Sequence, residues 1–320
     1  MTAPPYIGNP MNIRQSWKRD SRHELPKWKG LTTMEKERKL DKRRKYYLIL
    51  DCETATLPYA SKFGGDEKKA ISIAKPLIYD LGWTICDAKG KIYRKRSYLI
   101  TEIFSVPSVF NTAYYKEKRP QYLEKLKVGS ISLRTWKEAT EVLERDLLEV
   151  QAVGAYNAAF DFKKAIPFTE KYIEALYSND FQRWEEVQEK VCDNIAKGKK
   201  AGKRDGAPEF DPYNFQFRNN FYPIFDIWGL ACEYLLNTDE YRTTCIANNW
   251  ITASGKYYQT SAEKAFAYLM NDWEFLESHT AIEDAEIESA IFGKIVEKVG
   301  IKGIEFEIIF FPFRIVGMVG

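Results

Sequence analysis

The sequence predicts an α/β protein built around a mixed β-sheet flanked by helices. Two observations predict this class. Three strand-like segments joined by tight connections come first, as in a meander, and strands then alternate with amphipathic helices. An apolar content of 45% and a charged content of 29% in 320 residues are typical of one folded domain, alone or with an appendage, rather than of a disordered chain.

The first three predicted strands lie at 46–51, 77–87 and 91–100. The first two are apolar runs with the character of buried strands, and the third alternates between apolar and polar residues as an outer strand does. The tripeptide AKG at 88–90 makes the turn between the second and the third. The segment TWKEATEVLERDLLEV at 135–150 predicts an amphipathic helix, because its apolar residues fall on one face.

Strands and helices alternate in the remainder of the chain. The segment AVGAYN at 152–157 predicts a short buried strand, followed by a helix as far as Pro167. The charged stretch 170–222 is predicted to be an inserted helical and loop segment, with a helix near 170–195. The later predicted elements are a strand at 222–227 and helices at 228–236, 261–270 and 279–299.

The N-terminal arm, residues 1–45, is strongly basic, with 13 Lys/Arg against 5 Asp/Glu. The whole chain carries a net charge of only +3, so the remainder is mildly acidic. A basic arm on such a body predicts a polyanion partner, and a solvated leader is the alternative. Composition therefore divides the chain into an arm, a body at 46–300 and an apolar tail at 301–320. The tail is either an added strand or a docking segment, and its Phe residues favour core burial.

The five cysteines are widely spaced and form no CxxC pair. Their odd number and spacing predict free thiols in a reducing compartment, without disulfides or a zinc site. No apolar run reaches the length of a membrane span, and the N-terminus lacks a signal-peptide core. These observations predict a cytoplasmic protein with no membrane partner.

The segment LILDCETATLP places two acids, Asp51 and Glu53, at the end of an apolar strand. Residues i and i+2 of a strand project on the same face, so both carboxylates point one way and Cys52 points the other way, into the core. Two adjacent like charges raise a pKa sharply unless a cation lies between them. Hard oxygen ligands of this kind suit Mg²⁺ or Mn²⁺, although water-exposed acids at a strand end are the common alternative.

A third acid, Asp161, lies in VGAYNAAFDF, one turn into the predicted helix and near the positive end of its dipole. Asn157 is well placed as the residue that caps this helix. Capping chemistry explains Asn157, but it explains Asp161 only in part. Phe160 and Phe162 flank Asp161 and indicate a pocket.

The segment HTAIEDAEIE begins at His279, the only histidine outside the arm, and carries Asp284 five residues later. Thr280 and Glu283 match a capping box, which gives Glu283 a structural role and leaves Asp284 on another face of the helix. His279 precedes the helix and can reach the same site. A neutral imidazole near a bound water is a natural general base, and a lone surface histidine is the alternative.

Taken in this order, DCET, YNAAFD and HTAIED resemble the three motifs of the DEDDh 3′→5′ exonucleases, the DnaQ-like proofreading-type family. HTAIED matches the pattern H-x-A-x-x-D at every defined position, and GWTICDAKGKI resembles the family's second and third strands. The resemblance spans about residues 46–298. It implies a ribonuclease H-like fold, a mixed five-stranded sheet flanked by helices, into which the segment 170–222 is inserted.

The same resemblance implies hydrolysis by a two-metal mechanism with two Mg²⁺ (or Mn²⁺) ions. Asp51, Glu53 and Asp284 would hold the catalytic ion, with Asp51 shared with the second ion, and Asp161 would complete the site. His279 would act as the general base. Nucleoside 5′-monophosphates would leave one at a time from the 3′ end of a single strand.

Substrate contacts follow less directly from the motifs. Thr54 and Leu57 would lie under the terminal nucleotide, and Asn157 is a further candidate for substrate binding. DNA is the favoured substrate, because no feature of the sequence reads a 2′-hydroxyl; an exoribonuclease or RNA-trimming enzyme is the alternative. A non-catalytic nucleic-acid-binding module is an alternative from another class. A polymerase or another protein is a candidate partner for the arm, and the oligomeric state stays open.

Three further segments carry predictions of their own. KGKKAGKR at 197–204 is either a clamp on the phosphate backbone or a solvated loop. The aromatic stretch 211–222 suits base stacking, but core packing is favoured. Asp226 precedes an apparent helix at Trp228, so we expect it to cap that helix rather than to bind metal.

Overall fold

The computed structural model describes residues 40–56, 75–178, 181–196, 211–309 and 311–319. Three parts of the chain for which the sequence makes predictions lie outside the described residues: most of the basic arm (1–39), Leu57 and the loop 197–204. Among the described helices, none combines the length and the apolar character that a membrane span needs.

A seven-stranded mixed sheet lies between layers of helices. Its strands are β1 Tyr47–Thr56, β2 Pro76–Cys86, β3 Ile92–Ile100, β4 Ser132–Arg134, β5 Ala152–Ala155, β6 Asn214–Phe217 and β7 Asn220–Asp226. They are arranged in the order β4-β3-β2-β1-β5-β7-β6. Strand β2 runs antiparallel to β1 and β3, whereas β5 is parallel to both β1 and β7. The predicted α/β class and the opening meander are confirmed.

The sheet has two strands more than the predicted five, one at each edge. Strand β4 pairs in parallel with β3, and β6 pairs with β7 in a tight hairpin. A strand of three residues has no periodicity to detect, and β6 falls in the segment that the sequence assigns to an insertion. Phe215 and Phe217 of β6 are each 1% exposed, which confirms core packing for this part of the stretch 211–222.

Helices cover both faces of the sheet. They are α1 Thr101–Phe104, α2 Pro107–Phe110, α3 Arg119–Val128, α4 Trp136–Leu147, α5 Ala158–Phe160, α6 Ile166–Tyr177, α7 Phe181–Ala196, α8 Ile227–Ala231, α9 Asp239–Ala247, α10 Ala262–Met270, α11 Ala281–Val299 and α12 Phe313–Val316. Two π-helical segments join α5 to α6 and extend α8; they are Asp161–Ala165 and Cys232–Leu236. The predicted helices at 135–150, 228–236, 261–270 and 279–299 correspond to α4, to α8 with its extension, to α10 and to α11.

The helix that begins at Ala158 does not end at Pro167, as the sequence predicts, but continues to Tyr177. Pro167 lies in the first turn of α6, directly after the wider π-helical turn. A proline donates no backbone hydrogen bond and crowds the preceding turn of a regular helix, and the π-helical geometry accommodates both effects. The single helix predicted near 170–195 is therefore two helices, α6 and α7.

Helix α6 packs directly on the sheet. The Thr169 hydroxyl accepts a hydrogen bond from the backbone N–H of Ile78 in β2, with an N···O distance of 3.0 Å. Tyr172 of the same helix is 1% exposed. The first residues of the stretch that the sequence assigns to an insertion thus belong to the core of the sheet's helical layer.

The tail 301–319 lies along the body without forming a strand among its described residues. It contains one 3₁₀ turn, Ile301–Gly303, and the short helix α12. Ile304, Ile308 and Val316 are buried, whereas Phe311 is 58% exposed. The aliphatic residues therefore anchor the tail more than the phenylalanines do.

The pleat of β1 divides the interior into two apolar cores. Leu48, Leu50 and Cys52 belong to one core, and Tyr47 and Ile49 belong to the other, which is shared with α11. Alternate residues of a strand project to opposite faces. The odd-numbered positions that follow Ile49 therefore face α11.

Asp146 of α4 is a buried carboxylate that accepts hydrogen bonds from side chains of β2 and β3. It is 2% exposed and accepts hydrogen bonds from Trp83 Nε1 at 2.9 Å, from Arg96 Nε at 3.3 Å and from Arg94 Nη1. Arg94 also donates to the more exposed Glu149 at 2.9 Å. Asp146 thus joins α4 to the sheet through donors on two strands.

We expect Asp146→Ala to lower the free energy of unfolding by about 3–5 kcal/mol, because it leaves the Arg94 guanidinium and the Trp83 N–H buried without their acceptor. Glu149→Ala removes the more exposed partner of Arg94 and should cost less than about 1 kcal/mol. Urea unfolding followed by circular dichroism measures both variants. Equal losses in the two would contradict this account of the network.

Candidate functional site

Strand β1 carries Asp51 and Glu53 within its length rather than at its end. Pairing with β2 extends the strand five residues beyond Asp51 to Thr56, with an irregularity between Glu53 and Thr54. The predicted end at residue 51 is therefore wrong, because the polar residues after Leu50 still pair with a partner strand. Both acids are half-buried, and they continue the series of Tyr47 and Ile49 that faces α11.

Helix α11 presents two acids to this face of the sheet. Asp284 and Glu288 are four residues apart, so they lie one above the other on the same side of the helix. They are 6% and 2% exposed. Among the described residues, Asp284 Oδ1 and Glu288 Oε2 have no hydrogen-bond partner.

Asp161 reaches the cluster from the start of the π-helical segment that follows α5. It is 2% exposed, and its Oδ1 accepts a hydrogen bond from the Cys52 thiol at 2.8 Å. Cys52 is buried in the core, as predicted, and in addition it fixes the position of Asp161. Asp161 thus has one carboxylate oxygen at Cys52, while its negative charge acts on both Asp51 and Glu288.

The carboxylates of this cluster raise one another's pKa. Burial raises the pKa of Asp51 well above its ordinary range, and the negative charges of Glu288, Asp161, Asp284 and Glu53 raise it further. Burial likewise raises the pKa of Asp161 to about 7 and that of Asp284 to about 8. Holding all five ionised at neutral pH requires a compensating positive charge.

The donor set fits a hard divalent cation. Carboxylate oxygens are the ligands that Mg²⁺ and Mn²⁺ prefer, and two of these oxygens are buried without a partner. One ligand atom each from Glu53, His279 and Asp284 lie within 4.8 Å of one another. A divalent cation bound here would offset the mutual repulsion and give the orphaned oxygens a partner.

His279 lies at the rim of the cluster, before the first turn of α11. Its backbone is left-handed, with φ of 51°, and its ring stacks on Tyr115 with centroids 4.3 Å apart and planes inclined by 13°. Its Nδ1 is 3.7 Å from Glu277 Oε2. Burial lowers the pKa of His279, and the nearby Lys118 lowers it further, so the imidazole is neutral at pH 7.

Lys118 supplies a positive charge at this rim. It lies over the Tyr115 ring at 4.7 Å from the centroid and donates a hydrogen bond to the Ser278 carbonyl. Its ammonium group lowers the pKa of both Glu53 and Asp284, against the larger effect of burial. The 3₁₀ turn Lys116–Lys118 thus braces the segment that carries His279.

The first turn of α11 is capped from the sheet and not by a capping box. Thr280 makes no side-chain cap, and its hydroxyl donates instead to the Glu283 carboxylate at 2.7 Å. The backbone N–H of Ala281 donates to Asp80 Oδ2 of β2 at 3.0 Å. The capping box predicted for Thr280 and Glu283 is wrong, because Asp80 occupies the acceptor position at the helix terminus.

Gly82 lets α11 approach the backbone of β2. A Cβ at this position would lie 2.4 Å from the N atom of Ile282 and 2.5 Å from the carbonyl carbon of Ala281. Real Cβ contacts are never so short, so any larger residue would displace the helix. The closeness of Asp284 and Glu288 to β1 depends on this glycine.

The structure places two of the three candidate substrate residues. Thr54 follows the irregularity in β1 and is half-buried. Asn157 occupies the capping position of α5, as predicted, but with φ of 78° and no side-chain cap, and it is exposed beside Asp161. The third candidate, Leu57, lies outside the described residues.

Asp226 caps α8, as predicted. Its Oδ1 accepts hydrogen bonds from the backbone N–H of Trp228 at 3.2 Å and from that of Asn157 at 3.3 Å. It therefore also fixes the turn between β5 and α5, from which the chain proceeds to Asp161.

Four residues at the site are absent from the sequence-based prediction: Tyr115, Lys118, Glu277 and Glu288. Only Glu288 had a signal in the sequence, its spacing of four residues from Asp284 on one predicted helix. Tyr115 and Lys118 lie more than 150 residues before His279 in the chain, and no local pattern relates them to it.

Comparison of the chain with family models gives no match. Neither the curated proteins nor the solved structures contain a match to it.

Without metal, the protein is expected to lose stability as the pH rises from about 5 to 8.5. The folded pKa values of Asp161 and Asp284, about 7 and about 8, exceed the ordinary value of 3.8, so the folded state retains protons that the unfolded state has released. Their contribution is complete below the unfolded pKa and is lost as the pH rises through the folded pKa.

Urea unfolding in EDTA across this pH range measures the slope of that decline. Saturating Mg²⁺ should flatten it, and Asp284→Asn should flatten it even in EDTA, because one of the repelling charges is gone. A stability that rises with pH in EDTA would rule out the raised pKa values.

We expect Gly82→Ala to lower the free energy of unfolding by about 1–3 kcal/mol, because the added methyl group pushes α11 away from β2. The same displacement should weaken Mn²⁺ binding by the purified protein. Gly303→Ala is the matched control, since its Cβ would meet only the Val299 side chain, at 3.3 Å. Unchanged stability and unchanged Mn²⁺ affinity in Gly82→Ala would contradict the role of this contact.

Proposed function

We propose that this protein is a metal-dependent 3′→5′ exonuclease that releases nucleoside 5′-monophosphates from single-stranded nucleic acid. The observation that carries the proposal is that three motifs far apart in the sequence bring their acids together. Glu53, Asp284 and the neutral His279 have ligand atoms within 4.8 Å of one another, and the charges of Asp161 and Asp284 act on Asp51. The nucleic-acid substrate and the 3′→5′ direction of digestion are inferred from the resemblance of the motifs DCET, YNAAFD and HTAIED to those of the DEDDh exonucleases.

The strand order supports a ribonuclease H-like arrangement. The five central strands run β3-β2-β1-β5-β7, with β2 antiparallel to its neighbours. The motif resemblance implies a mixed sheet of five strands, and β4 and β6 would extend such a sheet at its two edges. Asp51 and Glu53 lie on β1, the central strand of these five. This position lets residues from the helices on either side of the sheet contribute to the site.

Asp51, Glu53 and Asp284 would hold a catalytic Mg²⁺ or Mn²⁺, Asp51 would be shared with a second ion, and Asp161 would complete the site. Bound there, such cations supply Lewis acidity for the attack of water on the phosphodiester and for the departure of the 3′ oxygen. The carboxylates are preorganised for this role, because β1, α11 and the Cys52–Asp161 hydrogen bond hold them in place before any cation binds.

His279 accepts the proton of the attacking water. The lowered pKa keeps the imidazole unprotonated at neutral pH, as a general base requires. The charge of Glu263, in the first turn of α10, raises the pKa of His279 and so stabilises the imidazolium ion that results.

The terminal nucleotide lies over Thr54 and Asn157, with Leu57 as a further contact. Asn157 is exposed beside Asp161, and Thr54 directly follows Glu53 along β1. None of these residues distinguishes ribose from deoxyribose or reads a 2′-hydroxyl; DNA is therefore the favoured substrate, with RNA as the alternative. The basic arm, residues 1–45, is the segment proposed to engage a polymerase, another protein or the nucleic acid.

We expect His279→Ala to lower the rate of nucleotide release by about 10²–10⁴-fold, because the general base is lost. Asp284→Asn should abolish release within the sensitivity of the assay, because a ligand of the catalytic cation is lost. The measurement is one gel series with 3′- and 5′-labelled single- and double-stranded DNA and RNA in Mg²⁺, Mn²⁺ or EDTA.

Glu286→Gln is the control, because this residue lies on α11 but pairs with Lys95 at 2.6 Å on another side of the helix. It should digest like the wild-type protein. Full activity in either site variant, or digestion that persists in EDTA, would overturn the proposal. Digestion of RNA alone would establish the exoribonuclease, and binding of oligonucleotides without release would establish the non-catalytic module.

A further inference from the structure

Glu288 is a buried acid to which the three sequence motifs give no role. It lies on α11 one turn after Asp284 and is 2% exposed. Among the described residues, no Lys or Arg side chain pairs with it, and its Oε2 has no hydrogen-bond partner. An ionised carboxylate in such a position is strongly destabilising unless something compensates its charge.

The surroundings of Glu288 are other carboxylates. After burial, its charge is the largest influence that raises the pKa of Asp51, and Asp161 and Asp284 in turn raise the pKa of Glu288. One favourable contact opposes them, a hydrogen bond from the backbone N–H of Tyr156. Glu288 therefore faces Asp51 and Asp161, on the side of the cluster formed by β1 and the β5–α5 turn.

Other buried acids of this protein show what a structural role looks like. Glu102, 1% exposed, accepts hydrogen bonds from the Trp136 backbone N–H at 3.0 Å and from the Tyr177 hydroxyl at 3.2 Å. Asp146 and Asp226 are likewise supplied with donors from two or more residues. Glu288 differs from all three, because its Oε2 has no hydrogen-bond partner among the described residues and the charges of Asp161, Asp284 and Glu277 act on its carboxylate.

We propose that Glu288 is a fifth carboxylate ligand of the metal centre, and that it binds a divalent cation together with Asp51. The proposal rests on the cation binding of the proposed function and extends it by one residue. Glu53, Asp284 and His279 offer one group of ligand atoms within 4.8 Å of one another, and Glu288 with Asp51 would hold a second cation. An additional anionic ligand raises the affinity of a site for Mg²⁺ or Mn²⁺.

The test is a titration of the chelator-stripped full chain with Mn²⁺ alone, followed by electron paramagnetic resonance of the free ion. Wild-type protein is expected to bind two Mn²⁺ ions. Glu288→Gln, which is nearly isosteric, should weaken one of them by about 10–100-fold and leave the other within about threefold. Glu286→Gln, two residues away on the same helix, should match the wild type.

Thermal unfolding supplies a second readout. In EDTA, Glu288→Gln should raise the melting temperature, because it removes a repelling charge, and added Mn²⁺ should then raise it less than in the wild type. A purely structural glutamate would give the opposite pair of results, a lower melting temperature in EDTA and an undiminished shift with Mn²⁺. That pair, or unchanged Mn²⁺ affinities at both sites, would overturn the proposal.

Two further outcomes separate this proposal from the proposed function. If Glu288→Gln loses one Mn²⁺ ion but the wild-type protein releases no nucleotides, the ligand assignment stands and the nuclease activity fails. If nucleotides are released and Glu288→Gln binds Mn²⁺ normally, the ligand assignment fails alone. Should the Gln variant not fold, Glu288→Asp keeps the charge and is expected to show an intermediate loss of affinity; wild-type affinities in Glu288→Asp would then overturn the proposal.

Discussion

Strand β2 has a glycine where α11 begins, and the backbone atoms of Ala281 and Ile282 occupy the space that a Cβ of Gly82 would need. Two residues earlier on the same face, Asp80 accepts the N–H of Ala281. One contact therefore fixes the separation of helix and sheet, and the other fixes the helix terminus. The positions of His279, Asp284 and Glu288 follow from this pair of contacts, because all three residues lie within the first two turns of α11 or immediately before it.

Two sets of buried acids in the protein differ in the hydrogen-bond partners of their carboxylates. Glu102, Asp146 and Asp226 each accept hydrogen bonds from neighbouring elements and so fasten helices to the sheet. Asp284 and Glu288 keep an oxygen without a partner among the described residues and face other carboxylates. The first group stabilises the fold, whereas the charges of the second group destabilise the folded state when both carboxylates are ionised. Asp80 has both features, since its Oδ2 accepts the N–H of Ala281 while its Oδ1 has no partner among the described residues, so the site is marked by the like charges that act on one another and not by an unpartnered oxygen alone.

The rim of the cluster has a different electrostatic character from its centre. Tyr115 stacks on His279, Lys118 lies over Tyr115, and both belong to the segment between α2 and α3. The lysine lowers the pKa of His279 and, at the same time, lowers the pKa of the carboxylates nearest to it. A neutral base and ionised ligands are thereby favoured together, which is the combination that metal-assisted hydrolysis at neutral pH requires.

The sequence by itself determined the local features of this protein. The apolar runs and their turns predicted the meander, the spacing of Asp51 and Glu53 placed both acids on one face, and the order of three motifs indicated which acids would meet. Local pattern is sufficient for the meander and for the spacing of the two acids, because strand alternation and helical periodicity act over a few residues, whereas the grouping of distant acids was inferred from the resemblance of the motifs to a known family. For the same reason Asp226 was assigned correctly, from its position just before a helix.

Only the tertiary structure decided what depends on contacts between distant segments. Asp80, not Thr280, caps α11; the helix passes Pro167 through a π-helical turn; strands β4 and β6 extend the sheet beyond five; and Tyr115 and Lys118 reach His279 from the other half of the chain. Glu288 had the right spacing from Asp284, yet its lack of a partner could not be known before its surroundings were. Burial and hydrogen-bond partners are properties of the packed chain, and they decide whether a buried carboxylate stabilises the fold or lacks a compensating partner.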